Sequence, residues 1–175
     1  MNKKYIITGG PGTGKTSIIN ELRKRGFYCV NENSRSIISE QIKHGGDILP
    51  WKDQISFENQ ITKIRTNEYL SSPEDSVCFF DRSSIDSIAY LKINNLDVPS
   101  EIIELTKQCS FNKNIFYTPI WEEIYKNDKE RKENIESAKT IEKAIMETYK
   151  LKGYKLIKIP KLSIKKRADF IISKI

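Results

Sequence analysis

Tyr5-Ile6-Ile7-Thr8-Gly9-Gly10-Pro11-Gly12-Thr13-Gly14-Lys15-Thr16-Ser17 passes from a β-branched apolar run straight into a glycine-rich octet. Residues 9–16 match the pattern G-x-x-x-x-G-K-[ST]. The flanks also fit, because Ser17-Ile18-Ile19-Asn20-Glu21-Leu22 reads as the first turns of a helix. Glycine lets the backbone take positive φ and turn its N–H groups inward, so strand, loop and helix N-terminus together form a concave anion nest. Gly9, Gly10, Pro11, Gly12, Thr13, Gly14, Lys15, Thr16 and Ser17 are therefore expected to bind a nucleoside triphosphate. Lys15 would reach the outer phosphates, and the Thr16 hydroxyl would face a phosphate-bound Mg²⁺.

A chain of 175 residues is long enough to bury a real core and reads as a single domain, 1–175. Its 30% charged and 38% hydrophobic residues are ordinary for a globular protein. No apolar stretch approaches the roughly 20 residues of a membrane span, and Met1-Asn2-Lys3-Lys4 runs too abruptly into the loop to be a leader. Cys29, Cys78 and Cys109 lack metal-ligand spacing, and Cys29 and Cys78 lie in strand-like runs, which predicts buried, reduced thiols and a cytoplasmic protein. The formal net charge of +7 reads as solvated helix faces in preference to a nucleic-acid surface, its densest run lying at 161–167. Monomer and homodimer are both compatible with these features.

Strands are predicted at 5–8, 27–30, 77–80, 114–117 and 155–159, each followed by helical sequence. Helices are predicted at 34–44, 53–71, 84–94, 100–108, 134–151 and 164–174, with Phe57, Ile61 and Ile64 forming a core-facing stripe. Strand alternating with helix implies a five-stranded parallel sheet covered on both faces, an α/β P-loop NTPase architecture.

Ligand groups in such sheets gather at the carboxyl ends of the strands. The second strand ends in Asn31-Glu32-Asn33-Ser34-Arg35 and the third in Asp81-Arg82-Ser83-Ser84. Phosphoryl transfer to a hydroxyl needs one carboxylate for the acceptor, another for Mg²⁺, and cations for the equatorial oxygens. Glu32 fits the acceptor role or a solvated loop. Asp81, after Val77-Cys78-Phe79-Phe80, fits the metal-side aspartate. Arg82 fits charge stabilisation or an ion pair, and Asp86 fits either function or compensation of a helix dipole. His44 is the only histidine, so histidine triads and multi-histidine metal sites are excluded. The charged run at 122–133 reads as a kinase-like lid carrying Arg131, or as a solvated helix laced with Glu–Lys pairs.

The phosphate loop together with Glu32-Asn33-Ser34-Arg35, Leu49-Pro50-Trp51, Phe80-Asp81-Arg82-Ser83 and Asp128-Lys129-Glu130-Arg131 resembles the NadR-type P-loop ATPase/kinase family, whose members include the ribosylnicotinamide kinase domain of NadR. The ending Gly153-Tyr154, Ile159-Pro160, Ser163, Arg167 and Phe170-Ile171-Ile172 is similar too, so the resemblance covers nearly the whole chain. More distantly, the chain resembles deoxynucleoside kinases, whose matching glutamate acts as base. The resemblance implies an ATP- and Mg²⁺-dependent small-molecule kinase for a nucleoside-like or nucleotide-like acceptor. Glu32, Asp81, Arg82 and Arg131 would carry the chemistry, and the backbone of 160–163 would border the adenine. It also implies an acceptor wall at 45–53 with Arg35, Trp51 and Asp53. Trp51 would stack on a ring or close the core, and Asp53 would accept sugar hydroxyls or cap the next helix. The competing class is a nucleotide-regulated binding protein, or an AAA-like ATPase acting on an anionic lipid or protein partner. The chain has no Asn-Lys-x-Asp guanine signature.

Overall fold

The computed structural model describes residues 2–124 and 134–175. Five strands, β1 (Lys4–Thr8), β2 (Tyr28–Val30), β3 (Cys78–Asp81), β4 (Asn114–Tyr117) and β5 (Lys155–Lys158), form one parallel sheet in the order β2-β3-β1-β4-β5. Between them run α1 (Lys15–Lys24), α2 (Ser34–His44), α3 (Gln54–Ser71), α4 (Ser84–Ile93), α5 (Ser100–Lys107), α6 (Ile135–Leu151) and α7 (Ile164–Ile172). This is the α/β P-loop NTPase fold that the strand–helix alternation predicts.

The side-chain period of two sorts β1 between two cores. Tyr5 and Ile7 join Phe79 and Phe116 under α1 and α7, whereas Ile6 joins Cys78, Phe80 and Ile115 under α4 and α6. Because both faces are covered, the central strands read as unbroken apolar runs. The stripe of α3 also packs as predicted, with Phe57 and Ile61 buried against Ile37 of α2 and Ile64 at its margin.

Element ends differ from expectation where side chains cap. Asp53 and Asn134 stand just outside α3 and α6, each accepting a backbone N–H, from Ser56 at 3.0 Å and Ser137 at 2.8 Å. Polar side chains so placed satisfy N–H groups that have no partner within the helix. Lys4 is buried with its ammonium on the carbonyls of Tyr69 and Ser72, the C-terminal end of α3, where a cation complements the helix dipole.

Cys29 departs from the expected burial. It is only partly covered, because β2 is an edge strand paired on one side to β3. Cys78 and Cys109 are buried free thiols, and burial raises all three thiol pKa values, that of Cys29 to about 11. At this edge Arg23 of α1 donates to the Cys29 carbonyl at 3.2 Å and to Asn31 at 2.7 Å. No helix among the described residues is long and apolar enough to cross a membrane.

The α4–α6 interface carries a polar tie. Tyr149 of α6 is fully buried and donates its hydroxyl to Asp86 of α4 at 2.5 Å, with Ser83 Oγ at 2.7 Å. Tyr149→Phe would leave the buried carboxylate one donor short. The expected loss is about 1.5–3 kcal/mol, the range for a hydrogen bond to a charged group. Urea unfolding of the two proteins at pH 7 measures it, and a midpoint equal to wild type would make this tie dispensable.

Candidate functional site

The site is built outward from Gly9. With φ at 139°, a Cβ there would lie 2.4 Å from the Thr118 carbonyl oxygen, so the loop presses on the end of β4 where only glycine fits. Thr13 Oγ1 donates to the Gly10 carbonyl at 3.0 Å and lies 2.5 Å from Thr118 Oγ1, closing the turn. The N-cap of α1 is Gly14, which brings no capping side chain, and the first turn carries no acidic residue. The opening N–H groups of the helix are thus offered to an anion.

Lys15 folds back over this loop, its ammonium on the carbonyls of Gly10 at 2.7 Å and Gly9 at 3.2 Å. Burial first, then the nearby Arg82 charge, lowers its pKa to about 8, against the pull of Asp81, Glu32 and Asp86. Thr16 Oγ1 donates to Asp81 Oδ2 at 3.0 Å. The other oxygen, Asp81 Oδ1, is buried without a hydrogen-bond partner among the described residues. An orphaned hard carboxylate oxygen beside a hydroxyl suits a divalent cation that takes oxygen ligands, so Thr16 and Asp81 fit Mg²⁺. Burial raises the carboxyl pKa of Asp81, and the Lys15 charge opposes that rise.

On the β2–β3 side lies a charged cluster. Arg82, 5% exposed, takes a left-handed backbone with φ at 74°, an uncommon conformation for a long side chain. Its guanidinium donates to Asp86 at 2.9 Å and stands 3.5 Å from Glu32. Asp86, fully buried, also accepts from Thr8 at 2.6 Å and from the Ser83 N–H at 3.0 Å, completing a capping box on α4. The dipole role and a wider structural role therefore coexist in this one carboxylate. Burial would raise the Glu32 pKa, but Arg82, then Arg65, Ser34 and Lys15, hold it down to about 2.

Arg65 was not singled out in the sequence. From α3 it reaches the Ser83 carbonyl at 3.1 Å and Ser87 at 3.2 Å, with Glu32 at 3.9 Å. Glu58 on the same face is 4% exposed, and burial raises its pKa to about 7 although Arg65, Ser87 and Arg82 pull it down. The signal was present: Glu58, Thr62, Arg65 and Tyr69 recur at i, i+4, i+7 and i+11, a polar stripe beside the apolar one.

Trp51 is 49% exposed, so it does not close the core. Asp53 caps α3 through Ser56. Arg35 is exposed in the first turn of α2. Arg131 and the stretch 125–133 lie outside the described residues, and of the lid segment only a 3-10 turn at Glu122–Ile124 is described. On the β4–β5 side of the loop a cavity of about 390 Å³ is lined by Pro119, Ile120, Glu122, Glu123, Lys139, Glu142, Lys158 and Lys161.

Residues 4–167 match the protein family described as AAA domain. The chain belongs to this family. No curated protein matches it. Among solved structures it is similar to the deoxyadenosine kinase from M. mycoides with products dCMP and a flexible dCDP bound, at TM-score 0.70 and 19% identity over 98% of this chain and 97% of that one. It is similar to NadR protein in complex with NR at TM-score 0.73 and 17% identity, covering 99% of this chain but only 51% of that one. Thymidylate kinase from Ehrlichia chaffeensis follows at TM-score 0.63 and 14% identity over 98% and 97%. The fold of this AAA-domain chain is thus shared with these P-loop kinases.

Lys15 makes stability depend on pH in a definite sense. Its folded pKa of about 8 lies below the ordinary 10.5, so between these values the unfolded chain holds a proton that the folded one has lost. Stability contributed by this group therefore rises with pH through that window, by up to about 3 kcal/mol. Compared with Lys15→Met by urea unfolding from pH 7 to 10.5, wild type is expected to gain relative stability as pH climbs. A constant difference would place the ammonium in water.

Proposed function

We propose that this protein is an ATP- and Mg²⁺-dependent phosphotransferase that passes the γ-phosphoryl group to a hydroxyl of a small nucleoside-like or nucleotide-like acceptor. The observation that carries this reading is Glu32, a carboxylate held ionised by Arg82 and Arg65 on the β2–β3 side of the phosphate loop. A carboxylate in this place can orient either a water or an acceptor hydroxyl, and the likeness to kinases favours the hydroxyl. The cavity on the β4–β5 side, past Lys158, provides separate room for the nucleoside end of ATP. Donor and acceptor thus approach the loop from opposite flanks. The likeness to kinases whose ligands are NR, dCMP and dCDP supports the same acceptor class.

In this reading the inward N–H groups and Lys15 grip the phosphates, and Thr16 and Asp81 hold the metal, which supplies charge neutralisation on the β- and γ-phosphates when bound. Arg82 stands close enough to Glu32 to fix its orientation. A carboxylate with a pKa of about 2 is a weak base in the ground state. Glu32 therefore orients the acceptor hydroxyl by accepting its hydrogen bond, and takes the proton late, as the oxygen gains positive character in a loose transition state.

Glu32→Gln is expected to keep Mg-ATP affinity and lower acceptor-dependent turnover by ~10²–10⁴-fold. Asp81→Asn should instead raise the Mg²⁺ concentration needed for half-maximal rate. Coupled ADP-release assays across a panel of nucleosides and nucleotides, paired with Mg-ATP calorimetry, check both. ATP consumption equal with and without every acceptor would point to a plain ATPase, whatever the effect of Glu32→Gln.

A further inference from the structure

Arg167 has no place in the chemistry above, yet its surroundings are unusual for a cation. It projects from α7, is 3% exposed, and pairs with no carboxylate among the described residues. Asp169, two residues on, is taken by Arg25 at 2.5 Å. Arg167 Nε is buried without a partner, and burial lowers the pKa of the group. The contact it does make is long-range: Nη2 donates to the Thr13 carbonyl of the phosphate loop at 3.1 Å, across 154 positions of sequence. Nη1 lies 3.0 Å from where a Cβ of Gly14 would stand, so the guanidinium lies against the 13–14 peptide.

In a planar trans peptide the C=O and the N–H point in opposite directions. Drawing the Thr13 oxygen towards α7 therefore turns the Gly14 N–H the other way, into the nest where phosphate binds. We propose that Arg167 is a positioning residue of the nucleotide site, locking the 13–14 peptide in its anion-binding orientation and placing an uncompensated positive charge behind it. This rests on the phosphate-binding reading of the loop. A buried, unpaired cation is costly to the empty protein, and a polyanion across one peptide plane offsets that cost. Arg167 thus trades stability of the free protein for affinity of the loaded one.

Three variants and two ligands test it. Wild type, Arg167→Met, Arg167→Lys and Arg167→Gln are titrated calorimetrically with Mg-ATP and with Mg-tripolyphosphate, which has phosphates but no nucleoside. Thermal unfolding without ligand and the Gly14 amide proton resonance are followed alongside. Arg167→Met should weaken both ligands by the same factor, about tenfold to a hundredfold. Its ligand-free Tm should stay level or rise, and the shift of the Gly14 resonance on ligand addition should shrink. Arg167→Lys should recover part of the affinity. Arg167→Gln keeps a donor and most of the bulk, so it should retain the Gly14 shift while losing affinity, and it carries the test if the methionine variant fails to fold. Two results overturn the proposal alone: wild-type affinity in Arg167→Met and Arg167→Gln, or affinity loss that merely follows a fall in ligand-free Tm and is not recovered by lysine. Wild-type protein that binds neither ligand would instead overturn the proposed function, and this inference with it.

Discussion

A guanidinium in a protein interior must be surrounded by acceptors, and the placing of Arg82 sets terms for much of this molecule. Its backbone sits in the left-handed region, where the chain leaves β3, and its N–H is taken by the Ile7 carbonyl of β1. The side chain then meets Asp86 one turn into α4. Asp86 in turn collects Thr8 from the end of β1 and Tyr149 from α6. Two strands and two helices are thereby pinned to one ion pair at the carboxyl edge of the sheet. Removing either partner of such a pair costs about 3–5 kcal/mol, because the survivor is left charged and unmatched. The strain at Arg82 persists because the surroundings over-determine it.

The same arrangement explains why a carboxylate can stay charged at the substrate side. Arg82 has its first obligation to Asp86 and only a looser approach to Glu32, while Arg65 divides itself between Ser83, Ser87 and Glu32. Glu32 is ionised by proximity but not consumed by short hydrogen bonds to either arginine. An oxygen held at 3.5 Å and 3.9 Å from its cations retains lone pairs for another donor.

The fold was legible because its determinants are local. The β-branched runs, the glycine octet and the helical stripe at Phe57, Ile61 and Ile64 each announce an element within a dozen residues. Thr16 meets Asp81 because Asp81 ends β3 while Thr16 opens α1 after the loop that follows β1, both at the carboxyl edge of the sheet. Arg65 and Glu58 show in the sequence only as part of a polar stripe, Tyr149 carries no signal of a role, and Arg167 carries only that of a matching ending, because their meaning is tertiary. Each sits in a helix where a polar residue ordinarily faces water, and only the packing of α3 and α6 on α4, or of α7 on α1, turns it inward. Trp51 reads in the sequence as stacking on a ring or closing the core, and its 49% exposure removes only the second of these.

The sheet leaves two edges open, and their chemistry bears on how molecules of this protein meet one another. At β2 the Arg23 guanidinium already occupies the Cys29 carbonyl, so a foreign strand approaching there finds an acceptor taken and a positive charge in its path. At β5 the exposed ends, Lys155 and Lys158, present ammonium groups on either side of a two-residue apolar centre. Both strands are short as well, at three and four residues. Short, lysine- or arginine-guarded margins discourage edge-to-edge stacking into fibrils. Residues that take no part in handling phosphate thereby keep an otherwise template-ready sheet from recruiting its own copies.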